Sequence, residues 1–358
     1  MKNRQVVETE RFSLQEFARY CRLAYVGETE AHTRRDITDA LATVAWARAL
    51  RRASGGDSPY AIGMKIEPEA YWVVEEAERL HRNKWPKYAR GLHRPSAKMI
   101  EQAERVYPGS LIFQSSALWS TLRRPPMNMA DVRRLEAALC PEVRLLLSRW
   151  QQRQLSKRKP SLEWLASALE RLGSLDALAA VVLQMQAAHV SGQVEVAQRW
   201  AQRVYRCLMI LSLDLMRNGI ARPLFELVEL RFLSHLRGTW RYFYPSGSFP
   251  AAAGHISHAL WHIKGVPYSS MSPKQQFRYI QRLVGWDYGW DLGYGLNPFK
   301  VPTTADAVTS DSDSREFQRA IWTFTWAWNM LKSGRQHRFP PPAQVFDGTD
   351  LFARRETV

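Results

Sequence analysis

Cysteine is nearly absent from these 358 residues. Cys21, Cys140 and Cys207 lie too far apart in sequence to form a metal-ligand or redox pair motif, so they read as small buried hydrophobes in a reducing compartment. Long hydrophobic runs are missing too. The most apolar stretch, Cys207-Leu208-Met209-Ile210-Leu211-Ser212-Leu213, is stopped by Asp214, well short of the about 20 residues that a spanning helix needs. Met1-Lys2-Asn3-Arg4-Gln5 leads into further charge, with no apolar leader behind it, so no membrane partner and a cytoplasmic location are expected. There is no Gly-rich phosphate loop, no nucleophile elbow and no paired-carboxylate pattern at helical spacing. Glu75, Glu76 and Glu78 read as a solvated helix face. Neither an enzymatic activity nor a cofactor is expected.

Acidic residues are outnumbered: 34 Asp+Glu stand against 50 Lys+Arg, a net charge of +16. Such a balance favours a polyanionic partner and is silent on the fold. The excess is uneven, with 29 basic against 18 acidic residues over 1–160, and 21 against 16 thereafter. Residues 79–105 carry eight basic and two acidic side chains, and 144–159 carry six basic and none acidic.

Apolar residues recur mostly at helical spacing. Ser13-Leu14-Gln15-Glu16 has the form of a capping box, with Phe17, Tyr20, Cys21 and Ala24 lining one face behind it. Residues 37–50 continue as a helix with Arg48 outward, and Ser54-Gly55-Gly56-Asp57-Ser58-Pro59 breaks it. Further helices are predicted over 130–139, 142–154, 175–189, 194–217 and 314–332. Another opens at Ser161 and closes at Gly173, and one more is capped by Ser272 with Pro273 behind it. Residues 175–189 and 194–217 are apolar on more than one face and read as central helices. Strands are hard to find. Residues 239–254, 297–314 and 334–344 look irregular. The expectation is a mainly α protein: a basic N-terminal helical domain over 1–155, a basic linker, and a helical assembly domain over 156–358.

The densest signal is Lys84-Trp85-Pro86-Lys87-Tyr88-Ala89-Arg90-Gly91-Leu92-His93-Arg94-Pro95-Ser96. Trp85 and Tyr88, three apart, share one face of a short helix, while Lys84, Lys87 and Arg90 share another. Gly91 stands where a helix end wants positive φ. Pro95-Ser96 opens a helix over Ala97–Val106 that points Met99, Ile100, Ala103 and Val106 at a core, and Pro108-Gly109-Ser110 ends it. Trp85-x-x-Tyr88-x-x-Gly91 followed by Arg94-Pro95-Ser96 resembles the C-terminal half of the lambda-repressor/Cro-type helix-turn-helix, over residues 69–113. Residues 76–80 take the place of its first helix. The resemblance implies a recognition helix ending near Arg90, with Lys84, Lys87 and Arg90 on DNA. His93, Arg94 and Lys98 beside it, and Arg153, Lys157, Arg158 and Lys159 in the linker, extend the predicted nucleic-acid-binding set. DNA is the expected partner and RNA the alternative.

Three other patterns carry competing readings. His255, His258 and His262 have i, i+3, i+7 spacing, compatible with a metal if Asp287 or Asp291 added a ligand, though a structural role is the commoner one. The run Gly285-Trp286-Asp287-Tyr288-Gly289-Trp290-Asp291-Leu292-Gly293-Tyr294-Gly295 is either a stacking surface or a tightly packed loop. Trp322, Trp326 and Trp328 make the last helix aromatic around much of its circumference, which suits a core or an interface for self-association or a protein partner. The main rival to a DNA-binding protein is therefore a helical subunit of a larger nucleoprotein, anti-phage or mobile-element complex. A metal-dependent enzyme centred on the three histidines is the weaker one.

Overall fold

The computed structural model describes residues 12–25, 35–71, 84–154, 161–265, 270–304 and 310–333, together with Pro341. In chain order the elements are α1 (Leu14–Tyr20), α2 (Ile37–Ala53), α3 (Pro59–Ile66), α4 (Trp85–Ala89), α5 (Ala97–Val106), α6 (Ile112–Ser115) and α7 (Ala117–Arg123). They continue with α8 (Met129–Ala137), α9 (Pro141–Gln154), α10 (Leu162–Leu172), α11 (Leu175–Val190), α12 (Val194–Arg217) and α13 (Ala221–Arg231). The last are β1 (Trp240–Phe243), α14 (Phe249–Lys264), α15 (Pro273–Val284), α16 (Trp290–Leu296), β2 (Phe299–Pro302) and α17 (Asp311–Ser333). The fold is mainly α, and no described helix is long and apolar enough to cross a membrane. Two compact units are formed, one from residues 1–125 with 214–231, the other from 126–213 with 232–358.

The first unit is built around α2. Asp36 caps it by accepting from the Thr38 amide at 2.8 Å, and Ile37, Leu41, Val44, Trp46 and Leu50 are buried along its length. Two polar ties bring α13 into this unit. Arg231 pairs with Asp36 at 2.9 Å, and the Leu14 amide, at the start of α1, donates to Glu226 at 2.6 Å. The capping box expected at Ser13 and Glu16 is present in full.

In the second unit α11 is buried nearly all round, as its lack of a polar face requires: Leu178, Val181, Val182, Leu183 and Met185 have no exposed surface. Gly173 ends α10 in the left-handed conformation, and a Cβ there would lie 1.8 Å from the Phe277 ring of α15. Two of the three stretches expected to be irregular are partly regular. β1 and β2 pair antiparallel, Trp240 opposite Pro302 and Phe243 opposite Phe299, and α14 and α17 begin inside the same stretches. The strands have four residues each and β1 is half-buried at every position, so neither the length nor the alternation that marks a strand is there to read. The third stretch lies outside the described residues apart from Pro341.

The aromatic helix α17 places its rings within its own unit. Trp326 and Trp328 are only 4% and 7% exposed, and Trp322 is half-buried. Phe324 meets Tyr244 and Phe299, and Trp328 meets His255 at 5.3 Å. Cys21 and Cys207 are buried, as expected, whereas Cys140 is half-buried at the start of α9, where its amide donates to Asp176.

Candidate nucleic-acid interface

Helix α4 is only five residues long, with Pro86 in its first turn, where the missing N–H costs nothing. It ends in two hydrogen bonds, from the Leu92 amide to the Lys87 carbonyl at 2.8 Å and from the Gly91 amide to the Tyr88 carbonyl at 2.9 Å. That pair is the Schellman pattern, and it requires the positive φ of 68° that Gly91 adopts. A side chain there would also meet Cys21 Sγ at 2.9 Å and Val44 at 3.0 Å. The turn is pinned from outside as well: the Cys21 thiol donates to the Arg90 carbonyl, and Arg35 donates to the Gly91 carbonyl.

The apolar face of this turn is sunk into the unit. Trp85 and Tyr88 are buried with Trp46, Leu50, Ile62, Ile66, Met99, Ala103 and Tyr107. The Trp85 ring stacks on Trp46, and Tyr88 meets both rings edge-on. Ser96 caps α5 as expected, through the Met99 amide, and Met99 and Ala103 face the same cluster. Val106 does not: it is 40% exposed, because α5 ends there and Tyr107 takes the core position instead. Glu104 secures the following turn by accepting from Gly109 at 2.6 Å, Leu111 at 2.6 Å and Ser110. Burial tends to raise its pKa, but these bonds outweigh it and hold the carboxyl below its ordinary value.

On the outer side, Lys87, Arg90, His93, Arg94 and Lys98 are all exposed. Arg90 donates back to the Pro86 carbonyl, and Arg94 lies 3.7 Å from Asp39, which Arg123 holds more closely. Lys84 stands apart. It is half-buried at the N-cap of α4 and is tied to Glu67 at 2.7 Å, so its charge is already matched.

Of the other predicted basic cluster, Arg153 lies in the second unit, exposed and with its guanidinium 5.1 Å from the Trp164 ring centre. Lys157, Arg158 and Lys159, and the expected first helix of the motif over 76–80, lie outside the described residues.

Sequence reasoning misses part of the surroundings of the turn. Arg48 and Arg51 of α2, with Arg90, Phe12, Tyr20 and Trp85, line a cavity of about 340 Å³. The available signal is the Arg48-Ala49-Leu50-Arg51 spacing, which sets two cations on one helix face, whereas the apolar periodicity of the helix marks only Arg48 as outward.

The histidine pattern gains no support as a metal centre. No group of three metal-capable side chains occurs among the described residues, and the His262 side chain is not among them. His255 packs edgewise on Trp328. Burial, with His258 and Lys332 nearby, holds its pKa below the ordinary value. Asp287 is paired with Arg282 and Asp291 is buried in α16. Comparison with family models, with curated proteins and with solved structures gives no match, which leaves the geometry to carry the functional reading.

Proposed function

We propose that the first unit binds nucleic acid, duplex DNA before RNA, through the exposed cations of residues 87–98. One observation carries this reading: Trp85 and Tyr88 are buried while Lys87, Arg90, His93 and Arg94 face solvent in and just after the pinned turn, and Lys98 does so from the start of α5. Rigidly presented cations lose little freedom on meeting phosphates, and the released counterions supply affinity that falls with salt. The helix-turn-helix reading is part of the proposal, with positioning favoured over base readout. At about 1.5 Å per residue, α4 spans only about 7.5 Å and can reach few base edges.

A salt-titrated binding assay with duplex DNA, single-stranded DNA and RNA tests it. Each phosphate contact removed should lower the slope of log affinity against log salt by about 0.9 on duplex DNA. A variant carrying Lys87→Gln, Arg90→Gln, Arg94→Gln and Lys98→Gln that keeps both affinity and slope would sink the reading.

A second reading, a helical subunit of a larger complex, is favoured by the second unit. Trp286 and Trp290 are each 39% exposed, and Trp286 holds a left-handed φ of 72°, a strained conformation for a bulky residue. Assembly through this patch predicts concentration-dependent light scattering that Trp286→Ser with Trp290→Ser abolishes. A strictly monomeric protein that recovers no partner from its host would remove it.

A further inference from the structure

The cavity beside the basic turn has walls of two kinds. At about 340 Å³ it falls within the about 300–1,000 Å³ of small-ligand clefts. Phe12 and Tyr20 form a ring wall, their centroids 5.4 Å apart and planes 26° apart. Arg48 and Arg51 of α2 and Arg90 at the end of α4 are among its lining residues, and no Asp or Glu lines it among the described residues. Burial raises the pKa of the Tyr20 hydroxyl while Arg90 and Arg48 oppose the rise, which sets both guanidiniums within electrostatic reach of that ring. Tyr20 is 37% exposed and Arg90 is exposed, so the ring wall and one cation meet solvent.

The charges of Arg51 and Arg90 beside one hollow raise the local potential, and an anion relieves it. A bare anion would leave the ring wall wet, and an apolar ligand would make no use of the cationic wall. A flat π system joined to a phosphate satisfies both walls at once. We propose that this cavity takes a single unpaired nucleotide, its base along Phe12 and Tyr20 and its phosphate on Arg51 and Arg90. The proposal rests on the reading of the first unit as nucleic-acid-binding and deepens it: the nucleotide is the terminal or extruded residue of a bound strand, or a free mononucleotide of the same chemistry.

The test is calorimetry on the full chain. Its probes are adenosine monophosphate, adenosine, inorganic phosphate, a blunt duplex, and the same duplex with a short single-stranded overhang. The monophosphate should bind more tightly than adenosine or phosphate alone, and the overhang should improve duplex affinity by about tenfold, as one stacked base allows. Tyr20→Ala and Arg51→Gln should each erase that gain, with Tyr20→Phe keeping it and an unchanged melting temperature showing that the variants fold.

An overhang gain without monophosphate binding would place the site's ligand in a strand, and monophosphate binding without overhang gain would make it a free nucleotide. Both support the cavity, provided the variants erase the signal. If the duplex binds through Lys87 and Lys98 but neither overhang nor monophosphate adds anything, the cavity proposal fails and the basic face stands. Monophosphate binding with no strand bound at all would keep the cavity and remove the basic face. Silence from every probe overturns both.

Discussion

The indole of Trp85 lies 5.7 Å from that of Trp46, their planes 25° apart, and this stack ties the basic turn to the central helix of its unit. Trp46 is wholly buried and Trp85 is 3% exposed. Trp85→Ala should therefore cost about 3–5 kcal/mol, measured by chemical denaturation. A variant that unfolds at the same midpoint would show that the ring contributes no core packing.

Gly63 is where α3 approaches the same ring. A Cβ there would fall 2.4 Å from Trp85 Cδ1 and 2.0 Å from the Tyr71 hydroxyl. Gly63→Ala should destabilise by about 1–3 kcal/mol despite alanine's better helix propensity, because overpacking outweighs it. A gain in melting temperature would contradict the close approach.

Lys84 and Lys98 are expected to behave in opposite ways. Lys84→Gln strands Glu67, whose side chain is only 14% exposed, so it should lower stability and leave the salt slope of DNA binding alone. Lys98→Gln should change the slope by about 0.9 and leave the melting temperature alone. Paired melting curves and salt titrations separate the two. Reversed effects would mean that Lys84 faces the polyanion.

Asp36 should make part of the stability acid-sensitive. Burial raises its pKa, but hydrogen bonds from Arg231 and Thr38 outweigh it and hold the carboxyl below its ordinary value. A depressed folded value means stability that is present above the unfolded pKa of about 3.9 and is lost as pH falls through the folded one. Asp36→Asn should cost about 1–3 kcal/mol near neutral pH and progressively less below about pH 4. A pH-independent difference between variant and native protein would refute this linkage.

Glu170 should be the most sensitive polar residue of the second unit. It accepts from Arg203 at 3.2 Å and twice from Arg206, which also donates to the Val284 carbonyl and to Asn297. Glu170→Ala leaves two largely buried guanidiniums unmatched and should cost about 3–5 kcal/mol. Glu170→Gln, which keeps the shape and some acceptors, should cost less. Equal losses would mean that charge plays no part in the network.

Local rules make much of this chain legible before any contact is known. Ser13, Ser96, Ser161 and Ser272 announce helix starts because a short hydroxyl side chain satisfies the first free amides, and each is found doing so. Gly91 and Gly173 announce ends because only glycine takes positive φ there without strain. The three-residue spacing of Trp85 and Tyr88 suffices to put both on one face. What the tertiary structure alone decided is which charges are matched and which faces close a cavity. Lys84 and Lys98 look equivalent in the sequence, yet among the described residues only Lys84 meets a carboxylate, supplied by Glu67 seventeen residues away. β1 and β2 are invisible locally because each needs the other, and a pairing across more than fifty residues leaves no local trace. Arg48 and Arg51 line one cavity with Arg90 and Tyr20 for the same reason: helix periodicity sets the direction of a side chain, and packing between distant segments sets what lies there.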